Sequence, residues 1–600
     1  MPAQPTPPFL PSARPGSVRL VVALALSLTL VACLRPAAVS RPALATDAAS
    51  LDATGQGGAV ASAEPAATSA GLAILRSGGD AVDAAVAVAL ALAVVHPQAG
   101  NLGGGGFAVV RQGGTALALD FRETAPAAAR QDIYLGPDGK PLPEASWVGP
   151  LAAGVPGTPS GLFELHRRLG RLSWPEVVGP ALRLARDGFA VSGRLHDAIA
   201  DERDILSRFP ETASLWLPGG EPPAPGTVVR LPDLAATLEA YAERGPASIT
   251  SGSLAQRIET ASRSHGGILT AADLTAYRPL WRDPLRTRAF GWEIAAMPLP
   301  SSGGLIVAES CALLERTGWR SLPPRGADRD HLLVEAWRRA YADRFVLGDP
   351  ETSRAGPRQL LDPAWIETRS SGIDRSRATP SLEVRPWPGS DPVRLGTARR
   401  EPAETTHLSV VDGSGDMVAL TTTLNGWFGC GLMVPGAGFL LNNEMDDFTT
   451  APGLPNAYGL VQGDANAVRP GKRMLSSMNP MIAWRDDEAI ALGSPGGSRI
   501  PTATLQVLLA LIVDREPLRQ AVERPRFHHQ WLPDQIIAEE GAFMPEVAAE
   551  LARRGHAIKP ASWRIGEVDV VRRRAGGDVE SVADRRGPGG AGVTEPRAED

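Results

Sequence analysis

The chain is 600 residues long, 43% hydrophobic and 21% charged, values of a folded globular protein too large for one ordinary core. A formal net charge of −6 is small for that length and argues against nucleic acid as a partner. Three cysteines, Cys33, Cys311 and Cys430, give no Cys/His metal spacing, and the adjacent His528 and His529 point apart, so no metal is expected.

Residues 1–32 read as a signal peptide. Arg14 and Arg19 precede an apolar run at 20–32 that has the size of a signal core and is too short to span a bilayer. The run ends in LVAC, which resembles a bacterial lipobox with Cys33 lipidated as the mature N-terminus. The rival is cleavage after the A-x-A site at 43–45. The lipobox reading implies an exported protein, periplasmic or in the cell envelope, anchored by acyl chains and not by a span. Once Cys33 is lipidated, Cys311 and Cys430 remain; an oxidising compartment would allow them to pair, but their sequence positions do not place them close in space. Residues 33–54 form a linker.

Residues 62–76 predict a helix capped by Ser62, and 80–95 a second, buried helix closed by His96-Pro97. GNLGGGGF (100–107) lacks the Lys-Ser/Thr of a phosphate loop and reads as a tight turn where backbones approach closely. Strands at 107–111 and 115–122 form a hairpin that leaves Arg122 at a strand end. From 157 to 375 the pattern is mainly helical. Residues 380–404 lose periodicity and read as a flexible segment. Strand-like runs dominate 407–500, 502–514 is a helix, and 587–600 reads as a loose tail.

The sharpest local signal is EPAETTHLSVVDGSGDMVALTTTLN, residues 401–425. Two β-rich runs flank DGSGD. A three-residue loop at 413–415 places Thr405 opposite Thr423. Cross-strand threonine pairs are ordinary in sheets, but this one has a chemical alternative. If the Glu404–Thr405 bond is cut, Thr405 gains an α-amine of pKa about 7.7–8.0, against about 10.4 for lysine, and that amine can deprotonate its own hydroxyl.

Further blocks extend the pattern: HPQAGNLGGGGF (96–107), DFRETAP (120–126), TTHLSVVD (405–412), LLNNEMDDF (440–448), PGLPNAYGL (452–460), KRMLSSMNP (472–480), GSPGGSR (493–499) and PRFHHQWLPD (525–534). In order and spacing they resemble the γ-glutamyltransferase (γ-glutamyltranspeptidase) family over about 55–590. The resemblance implies an α/β (α+β) chain with the four-layer αββα sandwich of the N-terminal nucleophile hydrolases. It implies a precursor cut between Glu404 and Thr405 into a large subunit, 55–404, and a small catalytic subunit, 405–600, that stay together as a heterodimer.

By the same resemblance, Thr405 is nucleophile and base, Thr423 orients it, and the backbone N–H groups of Gly496 and Gly497 form the oxyanion hole. Arg122, Ser476 and Ser477 hold the substrate α-carboxylate, while Asp447, helped by Asn425 and Glu444, takes the α-ammonium. Tyr458 belongs to a lid. Glu444 stands where many relatives carry Gln, and the match weakens at 562–572. The implied donors are γ-glutamyl compounds such as glutathione, the acceptors amino acids, peptides or water, with no cofactor. Two alternatives remain: a cephalosporin (glutaryl-β-lactam) acylase of the same superfamily, and a non-catalytic lipoprotein that binds γ-glutamyl peptides. Retention of Asp447 and of the lid block speaks against the first, and retention of Thr405 and the oxyanion glycines against the second.

Overall fold

Alternation along the strands sets the layers. In the run Met417–Thr423, Val418 and Leu420 join a core shared with helices, whereas Met417 and Ala419 join Ile482, Ala489, Ala491 and Val571 of a second sheet. A strand with both faces buried must lie between two apolar layers, and that arrangement is a helix–sheet–sheet–helix sandwich. The computed structural model describes residues 50–142, 144–390, 393, 405–449, 456 and 458–596. The predicted leader, Cys33 and Glu404 lie outside the described residues.

Fourteen strands build the sandwich: β1 Asp52–Gly55, β2 Ala59–Ser62, β3 Gly105–Gln112, β4 Thr115–Phe121, β5 Leu280–Arg282, β6 Leu285–Ala289, β7 Trp292–Ala296, β8 Thr405–Val411, β9 Met417–Thr423, β10 Met481–Arg485, β11 Glu488–Gly493, β12 Asp569–Arg573, β13 Val579–Val582 and β14 Gly590–Val593. One sheet runs β14-β2-β8-β9-β3-β4-β5, the other β1-β13-β12-β11-β10-β7-β6, each antiparallel throughout. Helices α1 (Pro65–Arg76) and α2 (Ala81–Val95) cover the first sheet. Helices α3 (Gly303–Arg316) and α5 (Ile500–Ile512) cover the second, with α4 (Ala327–Arg344) packed on α3. Every residue of α2 is buried, so its continuous apolar run is that of a core helix. No helix among the described residues is long and apolar enough to cross a membrane.

The hairpin register is the predicted one: Thr405 pairs with Thr423 and Val411 with Met417. Asp412 closes the turn by accepting from the backbone N–H groups of Ser414 (2.9 Å) and Asp416 (3.1 Å). The glycine-rich turn behaves as expected. A Cβ on Gly104 would lie 2.1 Å from the Thr423 carbonyl oxygen, so side chains there would push β9 away.

Three expectations need correction. Ser62 does not cap α1: it ends β2, and the helix starts at Pro65, whose fixed φ suits a first helical position. Residues 380–390 are anchored rather than free, with Leu382 exposed but buried Ser381 accepting from Arg338 Nη1 at 2.5 Å and its N–H donating to Asp534 at 2.7 Å. Residues 590–593 are no loose tail but β14, paired with β2. Their glycines let α1 close on the strand, since a Cβ on Gly592 would stand 2.4 Å from Leu72 Cδ1. The pairing of Cys311 and Cys430, which the sequence leaves open, is not formed: each is a free, buried thiol.

Candidate active site

Thr405 opens β8, a central strand of the first sheet. With period-two alternation it shares its face with His407 and Ser409. That face looks between the sheets: the His407 ring lies against Gly493 of β11, and Ser409 Oγ donates to the Asp569 carbonyl of β12 at 3.0 Å. Burial holds His407 at about 3, so its ring is neutral at physiological pH. At the open end of the hairpin Thr405 Oγ1 donates to Thr423 Oγ1 at 3.2 Å. The Asn425 N–H donates to the same Thr423 oxygen at 2.8 Å, made possible by the left-handed backbone at Asn425, φ 76°.

Arg122 follows β4. Its N–H is held by Asp120 at 2.9 Å and its carbonyl by the Tyr277 hydroxyl at 2.7 Å, and its side chain is fully buried. Glu444 and Asp447 begin and end one 3-10 turn, so a spacing of three puts both carboxylates on the same side. Both ion-pair with the Arg122 guanidinium, and Glu123 lies 3.8 Å from it. Burial opposes the charge on Arg122, but Glu444, Asp447 and Glu123 outweigh it and raise its pKa. Burial in turn lifts Glu444 well above the carboxylate range, lifts Asp447, and brings Glu123 to about 7. Several acids sharing one guanidinium favour a proton on the cluster at neutral pH.

Thr405, Thr423, Arg122, Asn425, Glu444, Asp447, Tyr458, Ser476, Ser477 and Gly497 line one cavity. Of the residues expected there and described, only Gly496 is not in the lining. It stands beside Gly497 at the turn into the 3-10 segment Gly497–Arg499, with φ 126° at Gly496 and 54° at Gly497. The Tyr458 hydroxyl reaches the Asn425 side-chain oxygen at 2.5 Å, and its ring stands edge-on to Trp147 at 6.4 Å. Leu460, Met478, Ser498 and Ile500 complete the wall. Leu460, Met478 and Ser498 fall inside the quoted motif blocks and Ile500 just beyond one, but nothing in those blocks marks them as wall residues, because that place depends on the tertiary fold.

The cavity measures about 20 Å³, room for one water. Two of its polar atoms, Glu444 Oε2 and Ser477 Oγ, are buried without a hydrogen-bond partner. Buried polar atoms call for a partner, whether a water, an ion or a ligand. One is a carboxyl oxygen that becomes an anionic acceptor once the cluster loses its proton, and the other is a donor beside a guanidinium, a set suited to an α-ammonium and an α-carboxylate on one carbon.

One other group of ligand-bearing side chains comes together among the described residues: His331, Glu335 and His556, with ligand atoms within 4.8 Å of one another. Sequence spacing gave no hint of it. Glu335 is committed elsewhere, both oxygens accepting from Arg338, Arg339 or Thr379, so the set suits a metal ion poorly.

Comparison with known proteins agrees with this geometry. A sequence model described as gamma-glutamyltranspeptidase matches residues 67–594. A glutathione hydrolase proenzyme of Pseudomonas aeruginosa is 40% identical over 92% of this chain and 97% of its own length. One from Escherichia coli K12 is 40% identical over 90% and 91%. Among solved structures, a cephalosporin acylase from Bacillus halodurans superposes with a TM-score of 0.79 at 26% identity, covering 91% of this chain and 97% of its own. The chain belongs to the γ-glutamyltranspeptidase family and is an enzyme of γ-glutamyl transfer and hydrolysis on the N-terminal nucleophile hydrolase fold.

Proposed function

We propose that this chain cuts itself between Glu404 and Thr405, and that the resulting large (55–404) and small (405–600) subunits transfer the γ-glutamyl group of glutathione and related γ-glutamyl amides to an amino acid, a peptide or water. The freed Thr405 α-amine takes the proton of its own hydroxyl, and Oγ1 attacks the γ-carbonyl carbon. Thr423 keeps that hydroxyl directed, and the Gly496 and Gly497 N–H groups receive the developing oxyanion. Collapse expels the amine, which leaves with the proton held by the α-amine, and a γ-glutamyl ester remains on Thr405. An acceptor amine or water reverses these steps. Arg122, Ser476 and Ser477 hold the α-carboxylate. Asp447, Glu444 and Asn425 hold the α-ammonium.

The observation that carries this reading is the pair of unpartnered buried atoms, Glu444 Oε2 and Ser477 Oγ, in the cavity that Thr405 also lines. At about 20 Å³ the cavity is too small for a glutamyl group, so substrate must exchange with Glu444 and Asp447 at Arg122 and displace Tyr458. Initial rates with γ-glutamyl-p-nitroanilide and a dipeptide acceptor test the mechanism. Parallel double-reciprocal lines are expected, together with glutathione competing as donor and no turnover of glutaryl-p-nitroanilide. Intersecting lines, or faster turnover of the glutaryl compound, contradict it.

For the leader, the same reading takes Cys33 as the acylated N-terminus of an exported, envelope-bound protein. Radiolabelled palmitate should enter the wild type and not Cys33→Ser. Equal labelling, or none in either, rejects the anchor.

A further inference from the structure

Apart from Arg122, the substrate cradle and the oxyanion turn are built from the chain after Thr405, and both rest on one helix from the chain before it. Helix α4 ends in the run Tyr341-Ala-Asp-Arg344, and residues three apart share a helix face. Both side chains are buried. The Tyr341 hydroxyl donates to the carbonyl of Ser498, the residue after Gly497 in the oxyanion turn. Its ring packs edge-on against His528 at 5.9 Å, which bonds through Nδ1 to Thr502 (2.8 Å), the residue that also donates to the Arg499 carbonyl (3.0 Å).

Arg344 reaches the other half of the site. Its Nε donates to Ser302 Oγ at 3.0 Å, and Ser302 Oγ donates to the Ser476 carbonyl at 2.7 Å. Its Nη1 donates to Gln462 Oε1 at 3.2 Å, and Gln462 Nε2 donates to the Asp447 carbonyl at 3.1 Å. The residue after the helix continues the clamp, the Phe345 carbonyl accepting from the Gly463 N–H at 3.1 Å.

We propose that Tyr341 and Arg344 are positioning residues of the transfer reaction, Tyr341 fixing the oxyanion turn and Arg344 fixing the cradle for the α-carboxylate and α-ammonium. The proposal rests on the function given above. It adds to Arg122 a second reason for the two predicted subunits to stay together: without α4 the nucleophile keeps its hydroxyl partner but loses the backing of both the oxyanion turn and the cradle. Arg344 also acts electrostatically. It is the cation behind Asp447, lowering the aspartate's pKa against the effect of burial. Burial brings its own pKa down to about 10, so it stays charged over the working range. Asp447 is faced as well by Arg122, Glu444, Glu123 and Tyr458, all of which remain when Arg344 is changed.

The two roles predict different kinetic signatures. Tyr341→Phe removes only the donor to Ser498, so kcat for γ-glutamyl-p-nitroanilide should fall about tenfold with KM within twofold of wild type. Arg344→Gln should raise KM about tenfold with kcat little changed, and should move the acidic limb of the kcat/KM profile to higher pH, because Asp447 then protonates more easily. Arg344→Lys keeps the cation and loses the two-armed reach, so KM should rise while the limb stays in place. Rates are taken per mole of cleaved chain.

Wild-type kinetics in Tyr341→Phe or Arg344→Lys overturn the proposal. So do parallel losses of kcat and KM in all variants with no movement of the limb in Arg344→Gln, the mark of a merely structural role. If Arg344→Gln does not fold, the KM of Arg344→Lys decides the Arg344 half. Failure of the underlying function looks different: the wild type itself then transfers no γ-glutamyl group.

Discussion

Two buried charge clusters in this molecule differ in kind. Around Glu335, every acceptor is matched: Oε1 takes Arg338 Nε and the Thr379 N–H, each at 3.1 Å, and Oε2 takes Arg339 Nη1 and Thr379 Oγ1, each at 2.6 Å. Burial opposes its charge, but the two arginines prevail and bring it to about 2. Around Arg122, three carboxyls crowd one guanidinium, burial lifts all three, and Glu444 Oε2 and both Glu123 oxygens are left without a hydrogen-bond partner. A satisfied network holds a fold together. An unsatisfied one at the same depth costs stability and is found where a ligand completes it.

The largest break in the comparison comes at the reaction centre. Thr405→Ala should lower γ-glutamyl-p-nitroanilide turnover by more than about 10⁴-fold, since no other side chain in the cavity has a base of its own. A smaller loss in steady-state rate removes Thr405 from the mechanism.

Next, the clusters should respond to different measurements. Glu335→Gln leaves two buried arginines underneutralised and should cost about 3–5 kcal/mol in denaturant unfolding, with the KM of the folded fraction unchanged. Arg122→Lys keeps the charge and loses the fork. KM should rise about 100-fold, while the unfolding free energy moves by less than about 1 kcal/mol. The opposite assignment, stability lost at Arg122 and affinity at Glu335, would invert the account.

The finest distinction is in the sign of the pH dependence. The folded pKa of Glu335, about 2, lies below its usual 4.5, so its stabilisation is complete above pH 4.5 and fades as pH falls towards 2. The gap in stability between wild type and Glu335→Gln should therefore shrink on acidification. Glu123 is raised to about 7, so its burial is tolerated in the protonated form below pH 4.5 and grows costly as pH rises through 7. Glu123→Gln should gain stability relative to wild type over that interval. Two gaps that change in the same direction contradict the contrast.

Much of this was legible in the sequence. The DGSGD turn fixed the hairpin length, and strand alternation then fixed Thr405 opposite Thr423. Arg122, Glu444, Asp447, Ser476, Ser477 and Tyr458 were found through ordered motif blocks, and they meet in one cavity. The misses share a cause. The Gly-rich composition of β14 suggested a tail because composition does not show that glycine is what lets α1 approach the strand. Residues 380–390 lack periodicity, yet Asp534 and Arg338, distant in sequence, pin Ser381. Tyr341 and Arg344 sit in an ordinary helical pattern, and only long-range contacts give them a role.

The central claim is that Thr405 works through an amine released by cutting the chain before it. The denatured intact mass of purified wild type, beside Thr405→Ala, tests this most directly. The account predicts two chains in the wild type, the smaller beginning at Thr405, and one uncut chain in the variant. A wild type that remains a single chain while transferring γ-glutamyl groups, or a Thr405→Ala protein cut at the same bond, would contradict it.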